Sequence, residues 1–235
     1  MKTLPRLTMA ATALLAAFAA HAERRDYPVA DISAVSSSIP LELELIQDEH
    51  ESLALEDDDG QLAEVEVTME GGTVRIRSMN RSTHWKKSVR GVLHTKLIES
   101  IHLAGTGSIR SASIRADTLK ATLSGSGKIQ LRRLDAKEVK VVLSGAGTVD
   151  LGSGRVEDLG VTVTGAGDVI AGKVRSDAGK VAISGAGTTT LWAEKTLDAR
   201  ISGVGTVRYY GDPEIVDRKV AGVGSVKHMQ GTAGD

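Results

Sequence analysis

The stretch that decides the fold is Val139-Lys140-Val141-Val142-Leu143-Ser144-Gly145-Ala146-Gly147-Thr148-Val149-Asp150-Leu151, because variants of it recur to the end of the 235-residue chain. Gly-x-Gly pairs fall at Gly105 and Gly107, Gly125 and Gly127, Gly145 and Gly147, Gly165 and Gly167, Gly185 and Gly187, Gly203 and Gly205, and Gly222 and Gly224. The intervals between first glycines are 20, 20, 20, 20, 18 and 19 residues. A fixed period of this order marks a solenoid, a propeller or another array of like units. Inside the unit every second residue is apolar or glycine: Val139, Val141, Leu143, Gly145, Gly147, Val149 and Leu151. The positions between them, apart from Val142 and Ala146, are the polar Lys140, Ser144, Thr148 and Asp150. A period of two is a strand with one buried face. The same parity holds one unit earlier, at Leu119, Ala121 and Leu123, and one unit later, at Leu159, Val161 and Val163.

A unit of this length is too short for a propeller blade of about 40 residues and lacks the asparagine of a leucine-rich repeat. It fits one coil of an all-β parallel β-helix, a single-chain solenoid with about 20 residues per coil, each strand pairing with its equivalent one coil away. Coils stacked at about 4.8 Å would place seven of them over about 34 Å. Both glycines of each pair are expected at corners, on the inward parity, where the cross-section narrows or the backbone needs positive φ. Glycines punctuating a β-sandwich would explain the composition but not the constant interval.

Upstream, residues 1–22 combine Lys2 and Arg6 with the apolar run Leu7 to Ala20 and a small-residue site at Ala20-His21-Ala22. This pattern predicts a secretory signal peptide. A single β-helix domain over 23–235 would remain, with irregular coils and a cap over 23–100 and regular Gly-x-Gly coils over 101–228. No other stretch has the ~20 apolar residues of a membrane-spanning helix. The chain has no cysteine, so it contains no disulfide in a compartment that would permit one. Its formal charge of −1 gives no general affinity for nucleic acid or anionic lipid.

Residues 41–70 hold twelve acids and no Lys or Arg, after which Arg75, Arg77, Arg81, Lys86, Lys87, Arg90 and Lys96 follow without an acid. Such separation is either a polar binding face or two neighbouring strands offsetting each other across a ladder. Trp85, flanked by His84, Lys86 and Lys87, offers a surface contact for a sugar or an anion. The alternative is a tryptophan folded back over a cap. The aspartates Asp57-Asp58-Asp59-Gly60 read as a solvated acidic turn rather than a calcium loop.

Chemical motifs are few. Gly125-Ser126-Gly127-Lys128 lacks the spacing of a phosphate loop, and the histidines show no metal-ligand spacing. Outward columns beside the glycine pairs read Ser108, Lys128, Thr148, Asp168, Thr188, Thr206, Ser225 and Ala104, Ser124, Ser144, Thr164, Ser184, Ser202, Ala221. They form a smooth hydroxyl-rich strip without paired carboxylates, through mutual hydroxyl ladders or as a seat for a flat partner. Lys120, Lys140 and Lys180 share a further outer column, interrupted by Gly160. No catalytic, cofactor-binding or metal-binding residues are assigned. An uncovered terminal edge after Val226 invites self-association into a homo-oligomer.

Repeated Ser-Gly-Ala-Gly-Thr/Asp-Val units behind an irregular β-rich segment, with Val207-Arg208-Tyr209-Tyr210-Gly211-Asp212-Pro213 and the closing Gly222-Val223-Gly224-Ser225-Val226, resemble the head-GIN domain family. That family is a bacterial group described as autotransporter adhesins of unproven function, and the resemblance covers residues 30–228. It implies a right-handed parallel β-helix, similar in shape to the pectin lyases, and an adhesion role; it carries no catalytic or ligand residues. The reading is therefore an exported, non-catalytic binding or adhesion module of the cell envelope, periplasmic or at the cell surface, without a cofactor. Its partner would be a cell-surface glycan or protein. The alternatives are a carbohydrate-active β-helix enzyme and a purely structural envelope protein.

Overall fold

The computed structural model describes residues 23–80 and 82–231, so the expected signal peptide, Arg81 and the last four residues lie outside it. Nearly everything described is strand, with one 3-10 turn at Gln61–Glu64. The strands before the repeats are β1 (Glu23–Tyr27), β2 (Ala34–Ser37), β3 (Leu41–Gln47), β4 (Ser52–Asp57), β5 (Val65–Glu70), β6 (Thr73–Ser78) and β7 (Val89–Thr95). The repeats supply β8 (Ser100–Leu103), β9 (Thr106–Ser111), β10 (Ile114–Leu123), β11 (Ser126–Leu131), β12 (Arg133–Leu143), β13 (Ala146–Asp150) and β14 (Ser153–Val163). They continue through β15 (Ala166–Ile183), β16 (Ala186–Ile201), β17 (Val204–Tyr210), β18 (Glu214–Val220) and β19 (Val223–His228).

From β8 onward every pairing is parallel and joins equivalents one unit apart: Val141 sits between Ala121 and Val161, and Val149 between Ile129 and Val169. The chain is a β-solenoid with three faces. Face A carries the strand that precedes each glycine pair, and face B the strand that follows it. Face C is a short strand at Ile114–Ala116, Arg133–Ala136 and Ser153–Val156. Face C runs into face A without a break in β10, β12 and β14, and β15 is continuous round all three faces. The sequence leads one to expect a tight bend at every corner. Only the Gly-x-Gly corner breaks the strands in every coil, with a glycine at the same place each time.

The apolar alternate positions of the repeat fill the bore. Leu119, Ala121, Leu123, Val139, Val141, Leu143, Val149 and Leu151 are all buried, as are their equivalents in the next coils. Burying an aliphatic side chain of this size contributes about 1.5–3 kcal/mol each, so slipping the register by one residue would forfeit the whole column.

The glycine pairs do not sit as expected, and the two members of a pair differ. The first glycines, Gly105, Gly125, Gly145, Gly165, Gly185, Gly203 and Gly222, lie in the breaks between strands and make the corner. The second glycines are not corner residues. Gly107 lies in β9, Gly127 in β11, Gly147 in β13, Gly167 in β15, Gly187 in β16, Gly205 in β17 and Gly224 in β19. They pair with one another from coil to coil as ladder positions, Gly167 with Gly187 and Gly187 with Gly205 among them.

Neither member needs glycine to narrow the bore. A Cβ built on Gly145 would point along the stack and meet the Gly125 carbonyl oxygen, with Ser124 O at 2.5 Å and Ser124 C at 2.6 Å. At the second positions the same clash is with the ladder partner below: Gly107 against Leu41 O, Gly167 against Gly147 O and Gly187 against Gly167 O. Gly205 would meet Gly187 O at 2.6 Å and, on the inward side, Ile183 Cγ2 at 3.1 Å. Glycine is needed because one coil's backbone lies directly on the backbone beneath it. Positive φ is a requirement of only some second glycines: Gly107, Gly147 and Gly167 have φ of 106°, 152° and 155°, whereas Gly187, Gly205 and all the first glycines have none.

Residues before the repeats do not add coils in chain order. β2 and β3 pair in parallel with β8 and β9 on one side and with β6 and β7 on the other. The outermost parallel layer is therefore later in sequence than the layer beneath it. Beyond it the senses reverse: β4 is antiparallel to β7, β1 to β4, and β5 to β6. The charge separation in the sequence resolves across these ladders. Arg77 pairs with Glu66 at 2.8 Å, Arg75 with Glu70 at 2.9 Å and Arg90 with Asp58 at 2.9 Å.

At the other end β18 and β19 have no outer partner among the described residues. The apolar columns break there: Arg218 follows Ala199, and His228 follows Tyr209 on what was the inward side. Charges at inward positions, Lys219 and Lys227 on the outer side and a register shift after Leu197 are devices that discourage edge pairing. They are also what a solenoid terminus uses as a cap.

Candidate binding grooves

Face B is the longest continuous surface, with strand order β1–β4–β7–β3–β9–β11–β13–β15–β16–β17–β19. Its outward side chains alternate with the buried ones, so two columns project from it. One runs Glu42, Ser108, Lys128, Thr148, Asp168, Thr188, Thr206, Ser225; the other runs Glu44, Arg110, Gln130, Asp150, Ile170, Thr190, Arg208, Lys227. The second column carries more charge than the first.

Two concavities lie along this face. The first, about 640 Å³, is floored by β3 and β9 and walled by Arg24, Glu56, Arg90 and Arg132. Arg24 pairs with Glu56 at 3.3 Å, and Arg90 forks onto Asp58 with contacts of 2.9 and 3.0 Å. That fork holds the Asp58 carboxyl below its usual range, chiefly through the hydrogen bond from Arg90. Glu42 lies across the ladder from Arg90, and Glu44 from Arg110.

The second groove, about 680 Å³, is lined by Arg132, Lys173, Arg208, Asp150, Asp168, Ile170, Thr188, Thr190 and Tyr210, among others. Its carboxylates are partly occupied by backbone: Asp150 Oδ1 accepts from Gly152 N at 3.0 Å and Asp168 Oδ1 from Thr188 N at 3.0 Å. Arg132, Lys173 and Arg208 belong to none of the ion pairs among the described residues, which otherwise engage cations of face C such as Arg155 and Lys195. Ile170 is 45% exposed on the groove floor.

Beside this groove an aromatic ladder crosses from face C. Arg175 sits 4.6 Å over the Trp192 ring, and Trp192 stacks on Tyr210 with centroids 5.8 Å apart. These three are register partners in successive coils. Arg175 and Tyr210 cover the two faces of Trp192, so Trp192 stiffens the groove wall rather than offering a sugar platform.

The contact residues expected from the sequence, Trp85, Lys86 and Lys87, fall elsewhere. Trp85 is half-buried and packs against the core near the N-terminal end. Gln61 ties the loop down: its Oε1 accepts from Lys86 N at 2.6 Å and its Nε2 donates to Lys87 O at 3.4 Å. Lys87 Nζ lies 3.3 Å from Asp59. Asp57 is 2% exposed and accepts from Asp59 N and from both nitrogens of Gln61, so the first aspartate of the acidic turn is bonded into the protein while Asp58 and Gly60 stay exposed. Burial pushes the Asp57 carboxyl upward, but these three donors outweigh it and leave the group below its usual range.

The hydroxyl ridge beside the glycines is exposed, and of its members Ser124 has a side-chain partner, His102 Nε2 at 2.8 Å. Lys120, Lys140, Gly160 and Lys180 do align on face A, followed by Asp198. Among the described residues no cluster of three or more His, Cys, Asp or Glu gathers to hold a metal. The grooves were missed in the sequence because the columns read there were those touching the glycines. The next outward position, Arg110 to Lys227, holds Ile170 and Arg208, whereas Arg132 and Lys173 sit at the corner beyond it.

A family model described as "Putative auto-transporter adhesin, head GIN domain" matches residues 31–213. A crystal structure of a putative adhesin from Bacteroides fragilis superposes with a TM-score of 0.82 at 22% identity, covering 89% of this chain and 97% of that one. A putative lipid binding protein from Parabacteroides distasonis gives 0.67 at 20% identity, covering 90% and 98%. A putative adhesin from Parabacteroides merdae gives 0.64 at 16%, covering 89% and 96%. At these identities the likeness is one of fold. A search of curated proteins finds no match.

Proposed function

The chain belongs to the head GIN domain family of putative auto-transporter adhesins, and from that premise we propose that it is an exported, non-catalytic binding module of the bacterial cell envelope. The observation that carries this reading is face B. A stiff ladder presents two neighbouring grooves, and in the second the cations Arg132, Lys173 and Arg208 are in no ion pair among the described residues. Rigid display of fixed charge is what recognition needs, since little conformational entropy is lost on contact. The names of the family and of the B. fragilis neighbour support the same role. The test is retention of beads coated with the purified chain on bacterial and host-cell surfaces, with protease shaving of intact cells to place the protein. Beads that no surface retains would refute the proposal.

One observation favours a second reading. Glu42 and Glu44 stand side by side on β3 in the first groove, and paired carboxylates serve glycoside hydrolysis. Each faces a guanidinium across the ladder, however, an arrangement that offsets charge instead of pairing acid with base. Release of new sugar ends from acidic polysaccharides, abolished by Glu42→Gln or Glu44→Gln, would establish the enzyme in place of the module.

A further inference from the structure

We infer that the second groove, lined by Arg132, Lys173, Arg208, Ile170 and Tyr210, binds a carboxylate-bearing glycan. This rests on the binding-module reading and names the ligand class for one of its two grooves. The three cations come from separate coils and from two faces of the solenoid, Arg132 and Lys173 at the face B to face C corner and Arg208 on the floor. None is engaged by an acid of the protein among the described residues, whereas the neighbouring Arg155, Arg175 and Lys195 of face C are all paired. Cations left free at a concave site attract an anion, and a guanidinium meets a carboxylate with two parallel hydrogen bonds.

The other lining groups select a sugar over a bare ion or a lipid. Asp150 and Asp168 each give one oxygen to backbone, leaving the second to accept from hydroxyls, and Thr188 and Thr190 add hydroxyls of their own. Ile170 and the part of Tyr210 not covered by Trp192 provide a small apolar surface for the C–H face of a pyranose. A volume of about 680 Å³ exceeds what an inorganic anion fills. The single exposed Ile170 is too little for an acyl chain, whose burial needs continuous apolar lining.

The experiment is calorimetric titration of the purified chain with a short oligogalacturonate, a neutral cello-oligosaccharide of equal length, and phosphatidylglycerol vesicles. The acidic sugar is expected to bind about tenfold or more tightly than the neutral one, and to weaken as salt rises. The double variant Lys173→Gln/Arg208→Gln, shown folded by circular dichroism, is expected to lose about tenfold or more. Lys120→Gln/Lys140→Gln, which removes the cations of face A, is expected to change nothing. Equal binding of the acidic and neutral sugars overturns the assignment, as does binding of vesicles alone. So does a loss of affinity on face A instead of in the groove. Beads that still adhere to cells through the groove but take up no acidic sugar would overturn this ligand and leave the module standing. Beads that adhere nowhere would sink both.

Discussion

Replacing Gly145 by alanine isolates the contact on which the stack depends. The added Cβ would lie 2.6 Å from Ser124 C, against about 3.5 Å for carbon atoms in contact, so the coil must lift by about 0.9 Å. Three hydrogen bonds cross that gap: Ser144 N to Leu123 O at 3.0 Å, Gly145 N to Leu123 O at 3.2 Å and Ala146 N to Gly125 O at 3.0 Å. The same lift stretches them to about 3.9–4.1 Å, beyond the hydrogen-bond range. At about 1 kcal/mol each they account for about 3 kcal/mol, a large share of the 5–15 kcal/mol typical of a domain. Gly160 supplies the control, since a Cβ there meets only Val139 O at 3.8 Å and its φ is not positive. Gly160→Ala is expected to be neutral or to stabilise by about 0.4–1 kcal/mol through the unfolded chain. Urea unfolding followed by tryptophan fluorescence measures both. A Gly145→Ala loss below about 1 kcal/mol, or equal damage from Gly160→Ala, would refute the claim that these corners touch backbone to backbone.

Acid should unfold the N-terminal layers. Glu51 accepts from Ile32 N at 3.0 Å and Asp31 N at 2.9 Å, which lowers its pKa, and the Asp57 carboxyl is lowered as described above. A carboxyl depressed in the fold contributes stability above its ordinary value of about 4 that is lost as pH falls through the lower folded value. The urea midpoint should therefore drop below about pH 4, with a shallower slope in Glu51→Gln; an unchanged slope contradicts the assignment. A double-mutant cycle on Arg175→Leu and Trp192→Leu should show coupling of about 0.5–1 kcal/mol, and zero coupling would remove the stacked guanidinium from the account. Trp85→Ala should lower stability by about 2 kcal/mol through lost packing and leave bead retention unchanged. Reduced retention with unchanged stability would return Trp85 to the role of a contact.

Most of the fold was readable because one physical constraint repeats. Val141, Leu143 and Val149 alternate with polar neighbours at a fixed interval, and both the parity and the parallel pairing follow from that. What escaped was anything decided by long-range pairing. Nothing near β2 announces that β6, later in the chain, lies outside it, since strand order across a layer leaves no mark in local alternation. The direction of the Gly145 Cβ escaped for a related reason: alternation places a residue in or out, and at a corner the vector turns along the axis. The unlike roles of Gly145 and Gly147 were equally hidden, because both satisfy the same parity and only the ladder shows that the second has already entered a strand. The second groove was only partly legible, because Arg132, Lys173 and Arg208 are 41 and 35 residues apart and occupy different positions of the repeat. Their being unpaired was not, since it depends on which acids the ladders of face C consume.

The interleaved layers make the molecule mechanically lopsided. A load applied at the C-terminus meets β19 and then β18, each held by a single neighbour, and can peel them in sequence as one unwinds thread from a spool. A load entering from the N-terminal side strips β1 from β4 and then meets β2, a strand gripped on both sides, by β6 and by β8. In the adhesion role proposed above, the end by which the chain is anchored would decide how much tension it survives.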